Sequence, residues 1–331
     1  MQDGAGPVLV TGLPRTGTSW VGKMLEVGGE LVYVNEPLNP QHPPGRSPGV
    51  LNADVTHRFQ YICTDNEARW VRAFADTVGL RYRVLAELRR NRSVYDLLRM
   101  AKYYRSFTVG RLRGRRALLD DPFAVLSVPW LTERLGVRSV VLVRDPVALV
   151  GSWRRLGWSV YFHELLEQPL LVRDLLGPYG DRMRELVGSQ DHVAKIAVLW
   201  SAVYAAVDRF RGADPRIRVV RYEDLAADPV AGFEDLYRRL ALRWTDGVRR
   251  RVEETTTAPG GTEKPHIWRL RGGVSRTAFR PMDSRAALQS YRDRLAERDI
   301  DRVRELTADV ATRFYPDGSR YPSQPGRAVK P

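Results

Sequence analysis

The residues best suited to chemistry open the chain: Val8 to Trp20 read VLVTGLPRTGTSW. A β-branched run leads into a turn bounded by Gly12 and Gly17. Beyond it, Trp20, Val21, Met24 and Leu25 recur at helical spacing, so a helix with one apolar face starts near Gly17 or Thr18. The first N–H groups of such a helix have no intrahelical acceptor and lie at the positive end of its dipole, which suits a bound anion. The hydroxyls of Thr16, Thr18 and Ser19 can add hydrogen bonds. A nucleotide triphosphatase loop would run G-x-x-x-x-G-K-[ST]. Here Thr18 stands where the lysine belongs, and the one cation of the loop is Arg15, three positions earlier. A cation so placed meets a terminal group less charged than a γ-phosphate, with no call for magnesium. A small-molecule kinase would need the lysine and a magnesium-binding acid, so it is the weaker reading.

The elements that must position this loop alternate along the chain. PVLVTG, ELVYVNE, RALLDD, SVVLVRD and IRVVRYE are strand candidates separated by helical patterns. That layout predicts an α/β fold, a P-loop-like three-layer sandwich with a mainly parallel central sheet and helices on both faces. One domain over residues 1–315 is expected, with an irregular tail at 316–331. Within it, residues from about 40 to 115 form a loop and helical insertion: the Pro- and Gly-rich NPQHPPGRSPG, then helical spacing in ARWVRAFADTVG and VYDLLRMAKYYR. Trp70, Tyr82, Tyr95, Tyr103 and Tyr104 of this insertion would serve equally for stacking on a sugar or aryl ring and for a core.

TGLPRTGTSW resembles the 5′-phosphosulfate loop of sulfotransferases that use 3′-phosphoadenosine 5′-phosphosulfate (PAPS), where Lys or Arg sits two residues before Gly-Thr-[ST]. SVVLVRDPVALVGSW is similar to the 3′-phosphate motif of the same family, an Arg ending a strand and a Ser eight residues later, here Arg144 and Ser152. That spacing has local logic. Asp145 can cap a helix and Pro146 can take its first position, so Ser152 lies two turns in. An arginine fork and a hydroxyl can then hold one phosphate. IRVVRYEDLAADP resembles the segment whose tyrosine, here Tyr222, lies near the adenine, and DDPFAVLSVPWLTERLG resembles a segment of bacterial members. The likeness covers about Val8 to Leu240 and leaves the insertion unmatched. It implies PAPS as co-substrate, no metal, and a cofactor-binding set of Arg15, Thr16, Gly17, Thr18, Ser19, Trp20, Arg144, Ser152 and Tyr222. A lid loop at about 255–285 would close on the 3′-phosphate through Arg271, Gly272 and Gly273.

In-line attack of an acceptor on sulfur needs a base for the acceptor proton. Glu36, ending the second strand candidate in LVYVNEPLNP, is the choice, because ligands of open α/β sheets bind at strand carboxyl ends. His42, Asp120 and Asp121 are the rival bases. Asp120 also departs from the family pattern, since relatives carry lysine where DDP stands here, which leaves Arg15 as the main electrostatic stabiliser.

Composition sets the surroundings. The 331 residues carry a net charge of +14, with basic residues dispersed among acids as in RDRLAERDIDRVRE, a pattern of solvated surface more than of a nucleic-acid patch. No aromatic-basic RNA motif or zinc spacing appears. A single cysteine, Cys63, excludes an intrachain disulfide and reads as a small buried hydrophobe. No apolar run nears the roughly 20 residues of a membrane span, and no leader pattern opens the chain. A cytoplasmic bacterial enzyme is expected, acting on a small-molecule or glycan acceptor through a hydroxyl, with an amine as the lesser alternative, of a carbohydrate, glycolipid or natural product. A non-catalytic polyanion binder is the remaining rival, and neither the acceptor nor the oligomeric state is written in the sequence.

Overall fold

A computed structural model describes residues 6–40, 49–90, 93–256 and 295–316. Its centre is a five-stranded sheet: β1 (Val8–Gly12), β2 (Leu31–Asn35), β3 (Arg116–Asp120), β4 (Arg138–Val143) and β5 (Ile217–Arg221), each on a strand candidate of the sequence, with β4 starting one residue earlier than its candidate. The order is β2-β3-β1-β4-β5 and every neighbouring pair is parallel. Parallel strands require crossovers, and here helices supply them. After β1 comes α1 (Thr18–Glu26); α2 (Val71–Val78), α3 (Val84–Arg90) and α4 (Val94–Leu112) fill the insertion. α5 (Val128–Leu135) links β3 to β4. Beyond β4 follow α6 (Pro146–Leu156), α7 (Phe162–Leu166), α8 (Pro169–Leu171), α9 (Gly180–Leu186) and α10 (His192–Phe210). α11 (Tyr222–Ala227), α12 (Pro229–Arg239) and α13 (Asp246–Thr256) come after β5, and α14 (Glu297–Phe314) ends the described chain.

Alternation along the strands makes two cores, one per face. Val8, Val10, Leu118, Val140 and Leu142 pack with α1, α12 and α13, while Leu9, Val34, Leu119, Val141 and Val143 pack with α2, α6, α10 and α14. Strands covered on both faces read as nearly continuous apolar runs, which is why they were visible in the sequence. Among the described residues no helix is long and apolar enough to cross a membrane. Trp70, a stacking candidate, is wholly buried beside Phe74, whereas Tyr95 and Tyr104 stand exposed. Cys63 is half-buried at the rim of the larger core.

Register aligns the strand ends. Asn35 pairs with Asp120, Gly12 with Leu142, and Val143 with Arg221. The residues that follow the strands therefore emerge along one edge: Glu36, Asp121, the Leu13 to Gly17 loop, Arg144 and Tyr222. His42 and the triplet Arg271, Gly272 and Gly273 lie outside the described residues.

Candidate active site

The loop after β1 is a strained turn closed by its own atoms. Thr16 donates both its backbone N–H and its hydroxyl to the carbonyl of Leu13, at 3.1 and 2.8 Å. Its side chain is fully buried, so the hydroxyl read as an anion donor holds the turn instead. Arg15 has φ of 79° and Gly17 φ of 100°, both in the left-handed region. At Gly17 a Cβ would also lie 2.8 Å from the Tyr222 ring. Only glycine meets both conditions without strain. No side chain caps α1, so its first N–H groups point from this turn toward the strand edge.

The start of α6 is built differently. Asp145 caps it, its Oδ1 accepting from Val147 N at 2.8 Å and Ala148 N at 3.1 Å, with Pro146 at the first position. Arg144, just before the cap, donates from Nη1 to the Arg15 carbonyl at 2.8 Å and stacks over the Tyr222 ring at 4.6 Å. Its buried Nε has no partner among the described residues. Two turns along, the buried Ser152 hydroxyl accepts from Arg15 Nε at 3.4 Å. Two stretches of chain more than a hundred residues apart thus present two guanidinium groups and a hydroxyl around one loop.

The aromatic members sit deeper than the sequence suggests. Trp20 is packed edge-on against Tyr222 at 5.8 Å and Phe233 at 5.3 Å, in the smaller core. That leaves its backbone N–H, not its indole, at the helix start. Tyr222 is buried as well, walled by Gly17, Trp20 and Arg144.

Behind Arg144 lies a network the sequence reading missed. Glu223, buried, accepts from the Asp145 backbone N–H at 3.0 Å and from the Tyr315 hydroxyl, just past the end of α14, at 2.9 Å. Burial first, and then the Asp145 charge, push its carboxyl up to about 7, against the pull of the Asp145 N–H and Arg144. A glutamate directly after Tyr222, where β5 gives way to α11, was the available signal.

The three candidate carboxylates divide by environment. Asp121 is buried with both oxygens on backbone N–H groups, Leu38 N at 2.6 Å and Phe123 N at 2.9 Å, so it is a cap and a loop tie. Asp120 accepts the Tyr33 hydroxyl beneath α1, where a Cβ at Gly22 would come within 3.0 Å of the Tyr33 ring. Burial raises its carboxyl, while the Tyr33, Thr18 and Ser19 hydroxyls and the Lys23 charge draw it back. Glu36 is only partly buried. Its N–H donates to the Asp120 carbonyl at 2.8 Å, which ties it to the strand edge in the left-handed region at φ 44°. Its carboxyl accepts from Asn39 at 2.6 Å. Burial raises the Glu36 carboxyl, the Asn39 hydrogen bond lowers it, and Asp120 adds to the rise.

The sulfotransferase-family profile matches residues 7–246. The chain belongs to the sulfotransferase family. That span contains the whole sheet and every described site residue, and it makes the chain a sulfotransferase whose reaction is sulfuryl transfer. Among solved structures it is similar to the sulfotransferase domain from the curacin biosynthetic pathway, 14% identical over 94% of this chain and 98% of that one, TM-score 0.45. Mouse sulfotransferase SULT7A1, complexed with PAP, is 11% identical over 95% and 89%, TM-score 0.43. Sulfotransferase STF1 from Mycobacterium tuberculosis is 18% identical over 75% and 71%, TM-score 0.40. Nothing among the curated proteins matches.

Proposed function

We propose that the enzyme moves a sulfuryl group from PAPS to a hydroxyl of a carbohydrate, glycolipid or natural product, releasing adenosine 3′,5′-bisphosphate. The observation that carries this reading is the meeting of Arg144 and Ser152 with the Arg15 loop. A ligand with two separate phosphate-level anions suits it, one at the uncapped start of α1 and one at Arg144 and Ser152. The buried Nε of Arg144, without a partner among the described residues, fits such an anion, since an unsatisfied buried donor is costly unless a ligand meets it. PAPS supplies an activated sulfuryl group when bound. Arg15 and the N–H groups of Gly17, Thr18, Ser19 and Trp20 would hold its phosphosulfate end and stabilise charge building on the leaving phosphate. Arg144 and Ser152 would hold the 3′-phosphate, and Tyr222 the wall nearest the adenine.

Glu36 is the base in this scheme. The acceptor oxygen forms its bond to sulfur, the bond from sulfur to the 5′-phosphate oxygen breaks, and the acceptor proton passes to the Glu36 carboxylate. Asp121 has both oxygens on backbone N–H groups and Asp120 is buried against Tyr33, whereas Glu36 is partly exposed, which favours it for the acceptor proton. Because Glu36 must be ionised, turnover rises with pH through a limb placed above the ordinary 4.5 by burial. Asn39→Ala removes the hydrogen bond that lowers it, so the limb moves further up.

Thermal shift with adenosine 3′,5′-bisphosphate, beside ATP plus magnesium, tests the ligand. Stabilisation by the bisphosphate and its loss in Arg144→Ala are expected; stabilisation by ATP and magnesium alone would sink the proposal. For the base, Glu36→Gln should lower kcat by about 10²- to 10⁴-fold while bisphosphate binding persists. Unchanged kcat would remove Glu36 from the role.

A further inference from the structure

Eight of the twelve large apolar side chains that stand exposed among the described residues lie on α3 and α4. Val94, Leu98 and Leu112 of α4 are 75%, 67% and 78% exposed, and Leu85 of α3 is 77% exposed. At helical spacing Val94, Leu98 and Leu112 share one outward strip, with Lys102 and Arg105 between them. Folding does not account for that strip. The opposite face of α4, through Met100, Phe107 and Gly110, already packs inward, and Gly110 is pressed so closely on Val32 that a Cβ would lie 2.3 Å from it.

The charges that α3 and α4 themselves expose have one sign, and the exposed Asp54 beside them pairs with Arg90. Arg89, Lys102, Arg105, Arg111 and Arg113 are exposed and form no ion pair among the described residues. Glu87 and Asp96, the acids of these two helices, are both buried: Glu87 accepts from Gly49 N and pairs with Arg90, and Asp96 accepts from the Ser93 hydroxyl. α3 and α4 therefore expose no carboxylate.

Aliphatic side chains set among unopposed cations match the boundary of an anionic bilayer. The acyl edge takes the apolar residues and the headgroups take the arginines and lysine. A duplex nucleic acid would serve the cations but offer nothing to Val94, Leu98, Leu112 and Leu85. A second copy meeting this face by two-fold symmetry would set cation against cation. We propose that the α3–α4 face docks the enzyme on an anionic phospholipid surface. The 19 residues of α4, about 28 Å long, lie along that surface. Glu87 of α3 is held by the Gly49 N–H at 3.2 Å and does not face the strip.

Vesicle flotation of the full chain tests this, with phosphatidylcholine vesicles made with and without phosphatidylglycerol. Binding is expected only with the anionic lipid. Lys102→Glu with Arg105→Glu, and separately Leu98→Ser with Leu112→Ser, should each weaken it about tenfold or more. All four positions are on the surface, so melting temperature and bisphosphate stabilisation are expected to stay as in the parent; that readout is independent of the lipid result. No binding to anionic vesicles overturns the proposal. So does binding that the serine pair leaves intact while a DNA duplex competes for it, which would make the face a polyanion surface. A dimer seen by light scattering and dissolved by the serine pair, without vesicle binding, would assign the face to a second copy and overturn it as well.

Discussion

Two helices start at the carboxyl ends of neighbouring strands, and the chain finishes them in opposite ways. α6, after β4, is closed by Asp145 and Pro146, with a second tier of support from Glu223. α1, after β1, is left without a side-chain cap and is entered through two left-handed residues. A capped start has its N–H groups satisfied and can only position side chains, as α6 positions Ser152 behind Arg144. An uncapped start keeps N–H groups for a ligand but must be held in shape by its surroundings, here Thr16 on Leu13 and Tyr222 on Gly17. In the proposed scheme one anion would be read by backbone and the other by side chains.

Breaking the open start gives the largest expected effect. Gly17→Val places a Cβ into the Tyr222 ring and requires a β-branched residue in the left-handed region, a strain of about 1–3 kcal/mol. We expect bisphosphate affinity, read by calorimetry, to fall on the order of 100-fold. An affinity within twofold of the parent would mean that the loop does not hold the ligand.

Next comes the support of the closed start. The Glu223 carboxyl is raised in the folded chain to about 7 from an ordinary 4.5, so its neutral form is the favoured one. The stability it contributes is complete below 4.5 and is lost as pH rises through about 7, a decline on the order of 1–3 kcal/mol. Denaturant melts across that window should show the decline in the parent and a flatter curve in Glu223→Gln. A curve of unchanged slope in the variant would place the titration elsewhere.

The smallest effect sharpens the contrast. Asp145→Ala removes one cap and should cost about 1–2 kcal/mol in melts, with bisphosphate affinity lowered only about two- to tenfold, because Arg144 keeps its charge and its bond to the Arg15 carbonyl. A loss as large as that of Gly17→Val would erase the distinction between the two starts.

Much of this was legible because it is local. Arg144, Asp145 and Pro146 are consecutive, and the strand end, cap and first helical position follow from their types alone. The same holds for Gly12, Arg15 and Gly17. Glu36 and Asp120 were legible as carboxylates at strand ends, but not as different chemical objects. Nothing near Asp120 in sequence announces Tyr33, 87 residues away, and nothing near Asp121 announces the Leu38 N–H, 83 residues away. The Tyr315 to Glu223 hydrogen bond spans 92 residues and left no trace in any motif. Charge along the chain likewise looked dispersed; only the packing of α3 and α4 turned their acids inward and their cations outward.

By itself the sequence determined the strands, the helix starts, the placement of Arg15, Arg144 and Ser152, and the family they mark. These depend on periodicity, capping and backbone freedom, which act within a few residues. Tertiary structure decided that the Thr16 hydroxyl is tied up inside its own turn, that Trp20 and Tyr222 pack as walls of the smaller core, and that Glu36 is the partly exposed carboxylate of the three. Those outcomes rest on burial and on hydrogen-bond partners brought from distant strands by parallel pairing, and no local pattern encodes them.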